Sequence, residues 1–230
     1  MKKLVIIPAY NEEKSVAGQC EEVKSSAPDY DIIVINDCSL DGTKSVCAEN
    51  GIKVIDLPVN LGIGGAVQTG YRHAYENGYD IAVQIDGDGQ HDPAFIKSME
   101  DVLTKTGADL VIGSRFIENE GYQSTASRRM GIKFFSALIK LLTGEKITDP
   151  TSGLRMVGRN LIAEFAESYP QDYPEPESAV RAIRKGRKVI EVPVKMRSRT
   201  AGRSSIRAAF AVYYMIKVTI AIVLERLRRT

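Results

Sequence analysis

The chain has 230 residues, of which 43% are hydrophobic and 26% are charged. This is an ordinary globular composition, and the length suits one domain with a substantial core. The sequence contains no internal repeat and no low-complexity segment, which excludes repeat and fibrous proteins.

Charge is unevenly distributed along the chain. The formal net charge is only +2, but the residues from Val192 onward include nine basic residues and one acidic residue, a net charge of +8. The first 191 residues therefore carry −6. An acidic body with a strongly basic C-terminal segment indicates an anionic partner such as a phosphate, a lipid headgroup or nucleic acid.

The signals for cellular compartment favour the cytoplasm. The three cysteines have no zinc-site spacing and are odd in number, which predicts free thiols in a reducing compartment. The apolar run after Met1-Lys2-Lys3 is too short for the core of a signal peptide. The stretch nearest to a membrane-spanning helix, Ala208 to Leu224, is interrupted by Lys217, so no spanning helix is predicted.

The first half of the chain alternates short apolar runs with helical patterns. Strands are predicted at 4–7, 32–35, 54–55, 81–85 and 110–112, and helices at 12–25, 43–50, 66–77 and after Asp92-Pro93. In the second half, we predict helices at 129–142 and 177–185, a turn at 148–153, a loop at 168–176 and a strand at 189–194. Apolar runs bounded by helices predict an α/β fold with a mostly parallel sheet covered by helices on both faces.

Polar clusters follow four of the predicted strands. They are Pro8-Ala9-Tyr10-Asn11-Glu12-Glu13, Asn36-Asp37-Cys38-Ser39, the stretch from Asp86 to Asp92, and Gly113-Ser114-Arg115. Ligands of open parallel sheets bind beyond the carboxyl ends of the strands. The clusters therefore predict one binding site at that edge of the sheet.

The most informative cluster is Asp86-Gly87-Asp88-Gly89-Gln90. Two carboxylates at a strand end can converge on one cation, and their hard oxygens suit Mg²⁺ or Mn²⁺. Gln90 could add a neutral oxygen. The alternative is a polar turn that only terminates the strand, which fits Asp92 as the N-cap of the next helix better than it fits the paired aspartates.

Other positions at this edge leave alternatives open. Asp37 and Glu12 can accept hydrogen bonds from a nucleobase or ribose, although an Asx turn and a helix N-terminus would also use such residues. Tyr10 suits either base stacking or packing. The glycine-rich stretch from Asn60 to Gly65 precedes a helix and could cradle phosphate, but a close-packed turn is the favoured interpretation.

Five motifs in this order resemble the family 2 inverting glycosyltransferases, and within them the dolichol-phosphate mannosyltransferase-like group. They are Pro8-Ala9-Tyr10-Asn11-Glu12, the stretch from Asp37 to Thr43, the stretch from Asp86 to Pro93, Gly113-Ser114-Arg115, and the stretch from Asp149 to Arg155. The resemblance covers about residues 3–200. One departure is Cys38, which stands where glycine is more usual in this family.

The resemblance implies a GT-A fold and a set of roles. It implies that Pro8, Ala9, Tyr10, Glu12 and Asp37 hold the nucleoside of a nucleotide-sugar donor. It implies that Asp86, Asp88 and Gln90 lie around a Mg²⁺ or Mn²⁺ ion and the donor diphosphate, with Asp86 contacting both. It also suggests Arg115 as a phosphate-binding arginine.

Transfer of a sugar requires that the leaving diphosphate be neutralised and the acceptor be nucleophilic. The basic segment from Arg197 to Ser205 is a candidate for closing over phosphate through Arg199 and Arg203, with a solvated basic loop as the alternative. A hydroxyl acceptor needs a base, whereas a lipid phosphate is already ionised near neutral pH. The candidate carboxylates are Asp149, Glu175 and Glu177, and we favour Asp149 through the family motif.

The last part of the chain, residues 205–230, is predicted to form one amphipathic helical extension beyond a catalytic domain at residues 1–204. Its polar stripe contains Arg207, Tyr214, Lys217, Ala221, Glu225 and Arg228, and the remaining positions are mostly apolar. This pattern favours contact with a membrane or a partner over packing on the protein's own core.

The predicted function is a metal-dependent, inverting glycosyltransferase that moves a sugar from a nucleotide-diphosphate sugar to a polyprenyl phosphate or a lipid-linked or cell-surface glycan. The predicted location is the inner face of the cell membrane, with a membrane surface or membrane protein as partner and homo-oligomerisation left open. One alternative is a nucleotidyltransferase, but Pro8–Glu12 stands where that class usually has a basic, glycine-rich loop. The other alternative is a nucleic-acid-binding module that acts through the basic tail, and the acidic body argues against it.

Overall fold

A computed structural model describes residues 1–118, 120–122, 125–198 and 211–227, without the side chains of residues 211 and 212. Its strands are β1 (Lys3–Ala9), β2 (Asp31–Asn36), β3 (Val54–Asp56), β4 (Ile81–Gln84), β5 (Leu110–Ser114), β6 (Arg155–Gly158) and β7 (Val189–Pro193). Its α-helices are α1 (Val16–Ser26), α2 (Thr43–Glu49), α3 (Gly62–Glu76), α4 (Ile96–Thr106), α5 (Ala126–Thr143), α6 (Arg159–Glu167), α7 (Pro174–Arg184) and α8 (Ala211–Leu227). A short 3-10 helix, Pro93–Phe95, opens α4 and is capped by the Asp92 side chain.

The seven strands form one sheet in the order β3-β2-β1-β4-β6-β5-β7. Every neighbouring pair is parallel except the two that involve β6, which runs antiparallel to β4 and β5. The prediction of a mostly parallel sheet with helices on both faces is confirmed. The antiparallel β6 and the helix α6 were not predicted from the sequence.

The core lies on both faces of the sheet because successive side chains of a strand point to opposite faces. Along β1, Leu4 and Ile6 join one buried cluster, while Val5 and Ile7 join the other. Continuous apolar runs are therefore needed in the central strands, and the sequence shows them. This doubly covered sheet leaves its carboxyl edge as the place where polar side chains gather.

The helix α8 packs on α5 and α7, and its Val218 and Ile222 are buried in the core. The Glu225 side chain is also buried, and it pairs with Arg181 of α7 at 3.3 Å. One side of the predicted extension thus packs on the chain's own core, the arrangement that the sequence disfavoured. No helix among the described residues is long and apolar enough to cross a membrane.

Candidate active site

The loops after β1 and β2 are bonded to each other at the carboxyl edge of the sheet. Ala9 and Asn36 are partners in the parallel register of these strands. Beyond them, the backbone N–H of Asn11 donates to Ser39 Oγ at 2.9 Å, and the N–H of Leu40 donates to Asn11 Oδ1 at 2.8 Å. These bonds join the loop after β1 to the loop after β2 in one surface, as predicted from the strand order.

Two residues of these loops have a left-handed backbone that favours glycine, namely Asn11 (φ 58°) and Cys38 (φ 56°). Asn11 tolerates this conformation because asparagine adopts the left-handed region more readily than most residues, and its Oδ1 is held by the N–H of Leu40. Cys38 has only a long contact from its Sγ to the carbonyl oxygen of Pro58, at 3.8 Å. The departure at Cys38 therefore costs backbone strain but keeps the turn.

The residues predicted to hold the nucleoside lie together here. Pro8 and Ala9 are buried in β1, whereas the Tyr10 side chain is exposed. Glu12 accepts a hydrogen bond from Ser15 Oγ at 2.7 Å through one carboxylate oxygen. The edge thus offers an exposed aromatic ring beside carboxylates, and nucleoside binding by these residues stays a prediction.

Asp37 is buried and accepts a hydrogen bond from the backbone N–H of Leu61 at 2.7 Å, at the start of α3. Burial raises the pKa of this carboxyl, and hydrogen bonds from the Leu61 and Gly62 backbones oppose the rise. Asp37 is therefore held rigidly at the end of β2, where a nucleoside is expected.

The glycine-rich stretch at the start of α3 is a close-packed turn. The N–H of Gly64 donates to the carbonyl oxygen of Gln171 at 3.0 Å, and a Cβ at Gly64 would lie 2.2 Å from that oxygen. Backbone occupies the place where a phosphate would bind. The favoured interpretation of this stretch is confirmed.

The paired aspartates follow β4. The Asp86 Oδ2 atom lies 3.1 Å from Nε2 of the buried His91, and because an ionised carboxylate only accepts hydrogen bonds, the Nε2–H donates to Asp86. Asp88 is also buried, and its Oδ1 accepts from the Gln90 N–H at 3.0 Å. A buried histidine behind a carboxylate orients it in the way that outer partners orient metal ligands.

The other side of Asp86 is formed by Gly153, in the loop before β6. A Cβ at Gly153 would lie 2.6 Å from Asp86 Oδ2, so the missing side chain leaves room for the carboxylate. Arg155 at the start of β6 pairs in register with Gln84 at the end of β4. The antiparallel course of β6 therefore returns the Asp149–Arg155 motif to the edge where Asp86 lies.

The donor set fits Mg²⁺ or Mn²⁺ bound together with a diphosphate. Among the described residues, no group of three or more histidine, cysteine or acidic side chains could hold a metal ion. Magnesium is commonly held by one or two carboxylates, with phosphate and water oxygens completing the shell. Asp86 and Asp88 are two such carboxylates, so these two would hold the ion once the donor supplies its phosphates.

Gln90 contacts the segment that follows β7. Its carbonyl oxygen accepts from the N–H of Arg197 at 2.8 Å, and its Nε2 donates to the Arg197 carbonyl at 3.4 Å. These bonds favour a role in holding that segment, and metal ligation by Gln90 stays a prediction. Arg199 and Arg203, predicted to close over phosphate, lie outside the described residues.

Arg115 and Asp149 come together, but they engage each other. Arg115 Nε and Nη2 donate to the two Asp149 carboxylate oxygens, each at 2.6 Å, and Nη2 also donates to Thr151 Oγ1. Asp149 is fully buried. A bidentate buried pair of this kind positions the loop before β6 and offers no support for Asp149 as a proton acceptor.

The loop before β6 is also held by the side chain of Arg155, which is fully buried. Its guanidinium donates to the carbonyl oxygens of Ser152 and Pro150, at 2.8 and 2.9 Å, and to Ser178 Oγ at 3.0 Å. Ser178 belongs to α7. Arg155 therefore fixes the distance between the loop and α7.

Glu175, in the first turn of α7, is a second candidate carboxylate beside Asp149. Burial raises the pKa of Glu175 to about 7, the Arg155 guanidinium opposes this rise, and the negative charge of Asp86 adds to it. It is thus electrostatically coupled to the candidate metal ligand. From the sequence, Glu175 is one of three candidate carboxylates and is not preferred, because Glu175-Pro176-Glu177 is also an ordinary helix start.

His91 and Gly153 were missed as site residues. Both residues lie inside motifs that support the family resemblance, and this was the one indication in the sequence that they belong to the site. Their roles depend on contact with Asp86, which local sequence does not reveal.

Comparison with known proteins identifies the family. The profile described as "Glycosyl transferase family 2" matches residues 4–165. The chain is 30% identical over 230 residues to the undecaprenyl-phosphate mannosyltransferase of Micrococcus luteus, with 95% of this chain and 93% of that protein covered. It is 32% identical over 212 residues to the UDP-N-acetylglucosamine–dolichyl-phosphate N-acetylglucosaminyltransferase of Methanococcus voltae, with 83% and 84% covered.

Solved structures share the fold. One is glucosyl-3-phosphoglycerate synthase from Mycobacterium tuberculosis in complex with Mn²⁺, UDP-glucose and phosphoglyceric acid, with a TM-score of 0.73 and 22% identity over 98% of this chain and 79% of that one. The GT-A fold implied by the motifs is thereby confirmed. Because the family profile, the relatives matched over most of their length and the ordered motifs agree, this chain belongs to glycosyl transferase family 2 and is a glycosyltransferase.

Proposed function

We propose that this enzyme transfers a sugar from a nucleoside-diphosphate sugar to a polyprenyl phosphate, with Mg²⁺ or Mn²⁺ bound by Asp86 and Asp88. The observation that carries the proposal is the convergence of Asp86, its partner His91 and the side-chain-free Gly153 at one edge of the sheet. A polyprenyl phosphate as acceptor is supported by two relatives whose names include undecaprenyl phosphate and dolichyl phosphate. Those names differ in the sugar, so they support the acceptor class and not a particular sugar.

Asp86 and Asp88 would hold the metal, which would supply positive charge to neutralise the leaving diphosphate; a solved structure of the same fold contains Mn²⁺. The chain's own residues supply orientation. His91 fixes the Asp86 carboxylate, Tyr10 offers a ring on which a base can stack, and Asp37 offers a rigid acceptor for nucleoside hydrogen bonds. Holding the reactants in one geometry removes much of the entropic part of the barrier.

A phosphate acceptor explains why no base is required at Asp149. A phosphate monoester has a second pKa of about 6, so the acceptor is largely dianionic near neutral pH and attacks without a base. Asp149 is instead committed to Arg115 in a buried pair. A hydroxyl acceptor would require a base, and Glu175 would then be the candidate because its pKa is raised to about 7 by burial, with the Asp86 charge adding to the rise.

The proposed location is the inner face of the cell membrane, where a lipid phosphate and a nucleotide sugar meet. It is supported by the free cysteines at positions 20, 38 and 47, two of which are buried. Burial raises the pKa of Cys20 to about 12, so this thiol is unreactive in the fold.

The test compares two glycine variants. Gly153→Ala places a methyl group 2.6 Å from Asp86 Oδ2, whereas Gly158→Ala places one in open space. Both variants are assayed for transfer of labelled sugar from UDP- and GDP-sugars to undecaprenyl phosphate, with Mn²⁺ and with a chelator. We expect one donor to be used only with metal, and a loss of at least about tenfold in kcat/KM for Gly153→Ala, equivalent to about 1.4 kcal/mol of transition-state stabilisation.

Thermal stability gives a second readout that does not need the acceptor. A nucleotide at about 100 times its Kd should stabilise the native state by about 2.7 kcal/mol. Metal-dependent stabilisation is expected in the wild type and Gly158→Ala, and weakened in Gly153→Ala. Equal activity of the two variants, or transfer that survives chelation, contradicts the proposed metal site.

A further inference from the structure

A charged side chain is buried behind the candidate site, and its hydrogen bonds go to neutral atoms. Arg155 is 1% exposed, and among the described residues its guanidinium donates to the carbonyl oxygens of Ser152 and Pro150 and to Ser178 Oγ, at 2.8, 2.9 and 3.0 Å. A buried cation is normally accompanied by an opposite charge, because its desolvation is otherwise costly. The three neutral oxygens satisfy the donors of Arg155 and leave its charge to be balanced by another group.

Two unused hydrogen-bonding groups lie on the same side of the sheet. Gln84 is the register partner of Arg155 in the β4–β6 pair, so both side chains point to one face. Among the described residues, neither Gln84 Nε2 nor Tyr71 Oη has a hydrogen-bond partner, although both side chains are fully buried. The ring of Tyr71 packs 5.4 Å from that of Tyr169, whose hydroxyl donates to Gln84 Oε1 at 3.4 Å. We call Arg155, Gln84, Tyr71 and Tyr169 the polar cluster.

The polar cluster adjoins the carboxylate of Glu175. This residue is half-buried in the first turn of α7, and its carbonyl oxygen accepts at 3.2 Å from Ser178 Oγ, the hydroxyl that Arg155 contacts. Burial raises the pKa of Tyr71, and the negative charge of Glu175 adds to the rise. Burial also raises the pKa of Glu175, whereas the Arg155 charge and the nearby Gln84 amide oppose that rise. One carboxylate is therefore within electrostatic range of the buried cation and of both unused groups.

The polar cluster supports Asp86 from two sides. Gln84 ends β4 and is separated from Asp86 by Ile85 alone. Arg155 holds the loop that places Gly153 against the Asp86 carboxylate. A displacement of either support would move that carboxylate, and the loss of an outer partner of a metal ligand typically costs about 10–100-fold in metal affinity or activity.

We propose that Glu175 is a positioning residue: its carboxylate balances the charge of Arg155, accepts hydrogen bonds from Gln84 and Tyr71, and thereby holds Asp86 in place for the metal and the donor diphosphate. The proposal deepens the proposed function and rests on it for the metal and the diphosphate. This role requires no proton transfer by Glu175. It therefore applies to a phosphate acceptor, for which no base is needed.

The first test compares Glu175→Gln with Asp172→Asn. Glu175→Gln keeps the shape and removes the charge, whereas Asp172→Asn removes an exposed charge of the neighbouring chain segment, which pairs with Lys217. Melting temperatures are measured at pH 8 as Mn²⁺ is titrated in the presence of UDP, and again in the presence of GDP. We expect the Mn²⁺ concentration that gives half of the stabilisation to rise at least about tenfold in Glu175→Gln and to be unchanged in Asp172→Asn.

A residue that only supports the fold would give a different result, because its loss would lower the melting temperature as well. Without ligands, Glu175→Gln should raise Tm at pH 8, since burial disfavours the ionised carboxylate that the substitution removes. Glu175→Asp keeps the charge and should recover part of the response to Mn²⁺. The proposal is overturned if Glu175→Gln responds to Mn²⁺ as the wild type does, if it lowers Tm, or if Glu175→Asp responds no better than Glu175→Gln.

A measurement without metal separates this proposal from the proposed function. Gln84→Met removes the amide donor, so the ionised Glu175 is less well compensated in that background. Glu175→Gln should then raise Tm at pH 8 by at least about 2 °C more in Gln84→Met than in the wild type, because neighbouring residues are not additive. Equal shifts would overturn the proposed contacts. A wild type that neither transfers sugar nor responds to Mn²⁺ contradicts the proposed function, and the larger shift in Gln84→Met would still support the contacts of Glu175.

Discussion

Replacing Asp149 with asparagine tests whether this residue acts on the loop or on the chemistry. The carboxylate is fully buried and receives both prongs of the Arg115 guanidinium at 2.6 Å. Asparagine keeps the shape but removes the carboxylate charge that the Arg115 guanidinium engages at two atoms. Breaking a buried pair from one side costs about 3–5 kcal/mol of the free energy of unfolding.

For a domain of this size, 1 kcal/mol shifts Tm by about 2–4 °C, so we expect Asp149→Asn to lower Tm by about 6–20 °C. The measurement is thermal unfolding followed by circular dichroism. The matched control is Asp101→Asn, which breaks the exposed Lys105–Asp101 pair of α4, at 3.1 Å. Exposed pairs contribute about 0.3–0.5 kcal/mol, so the control should move Tm by less than about 2 °C.

A double variant shows whether the loss arises from an uncompensated charge. Arg115→Met combined with Asp149→Asn removes both charges and should recover part of the lost Tm. An Asp149→Asn protein with wild-type Tm, strongly reduced transfer and a pH–rate profile that no longer falls at low pH would refute this reasoning. That outcome would return Asp149 to the role of a base.

Three further predictions concern stability. The pKa of Glu175 in the folded, metal-free protein is raised to about 7, so the folded state binds this proton more tightly than the unfolded chain does. The resulting contribution to the free energy of unfolding is complete below the ordinary glutamate pKa, and up to about 3 kcal/mol of it is lost as pH rises to 8. Glu175→Gln should therefore raise Tm at pH 8 but not at pH 4. Gly18→Ala, in open space on α1, should stabilise by about 0.5–1 kcal/mol, whereas Gly70→Ala, whose Cβ would meet a β1 side chain at 2.2 Å, should destabilise by about 1–3 kcal/mol; urea unfolding measures both. Cys38→Gly should be neutral or stabilise by up to about 1 kcal/mol in the same assay, and a loss above 1 kcal/mol would show that the thiol contact outweighs the backbone strain.

The sequence predicted the parts of the fold that depend on local pattern. Apolar runs and helix starts located the first five strands, and the order of those strands brought the clusters around Asp37 and Asp86 to one edge. The elements it missed, β6 and α6, follow a different rule. The strand β6 is four residues long, starts with the buried Arg155 and runs antiparallel between two parallel strands. Because it is short and begins with a charged residue, the local sequence pattern does not predict it.

Long-range contacts decided the remaining ambiguities. The glycine-rich turn at Gly64 is packed by the carbonyl of Gln171, more than a hundred residues away in sequence. The stripe on α8 was visible in the sequence, but its direction depends on Arg181, 44 residues before Glu225. A helical wheel gives the sides of a helix and does not say which one faces inward.

The reversed direction of β6 explains how the candidate metal site and α7 come to lie at one edge of the sheet. Because β6 runs back to the carboxyl ends of its neighbours, its leading loop puts Gly153 against Asp86 and, through Arg155, joins α7 to the same place. The helix α8 packs directly on α7, with Tyr214 against Tyr173, just before Glu175. Arg155 therefore joins the loop that contains Gly153 to the helix that contains Glu175.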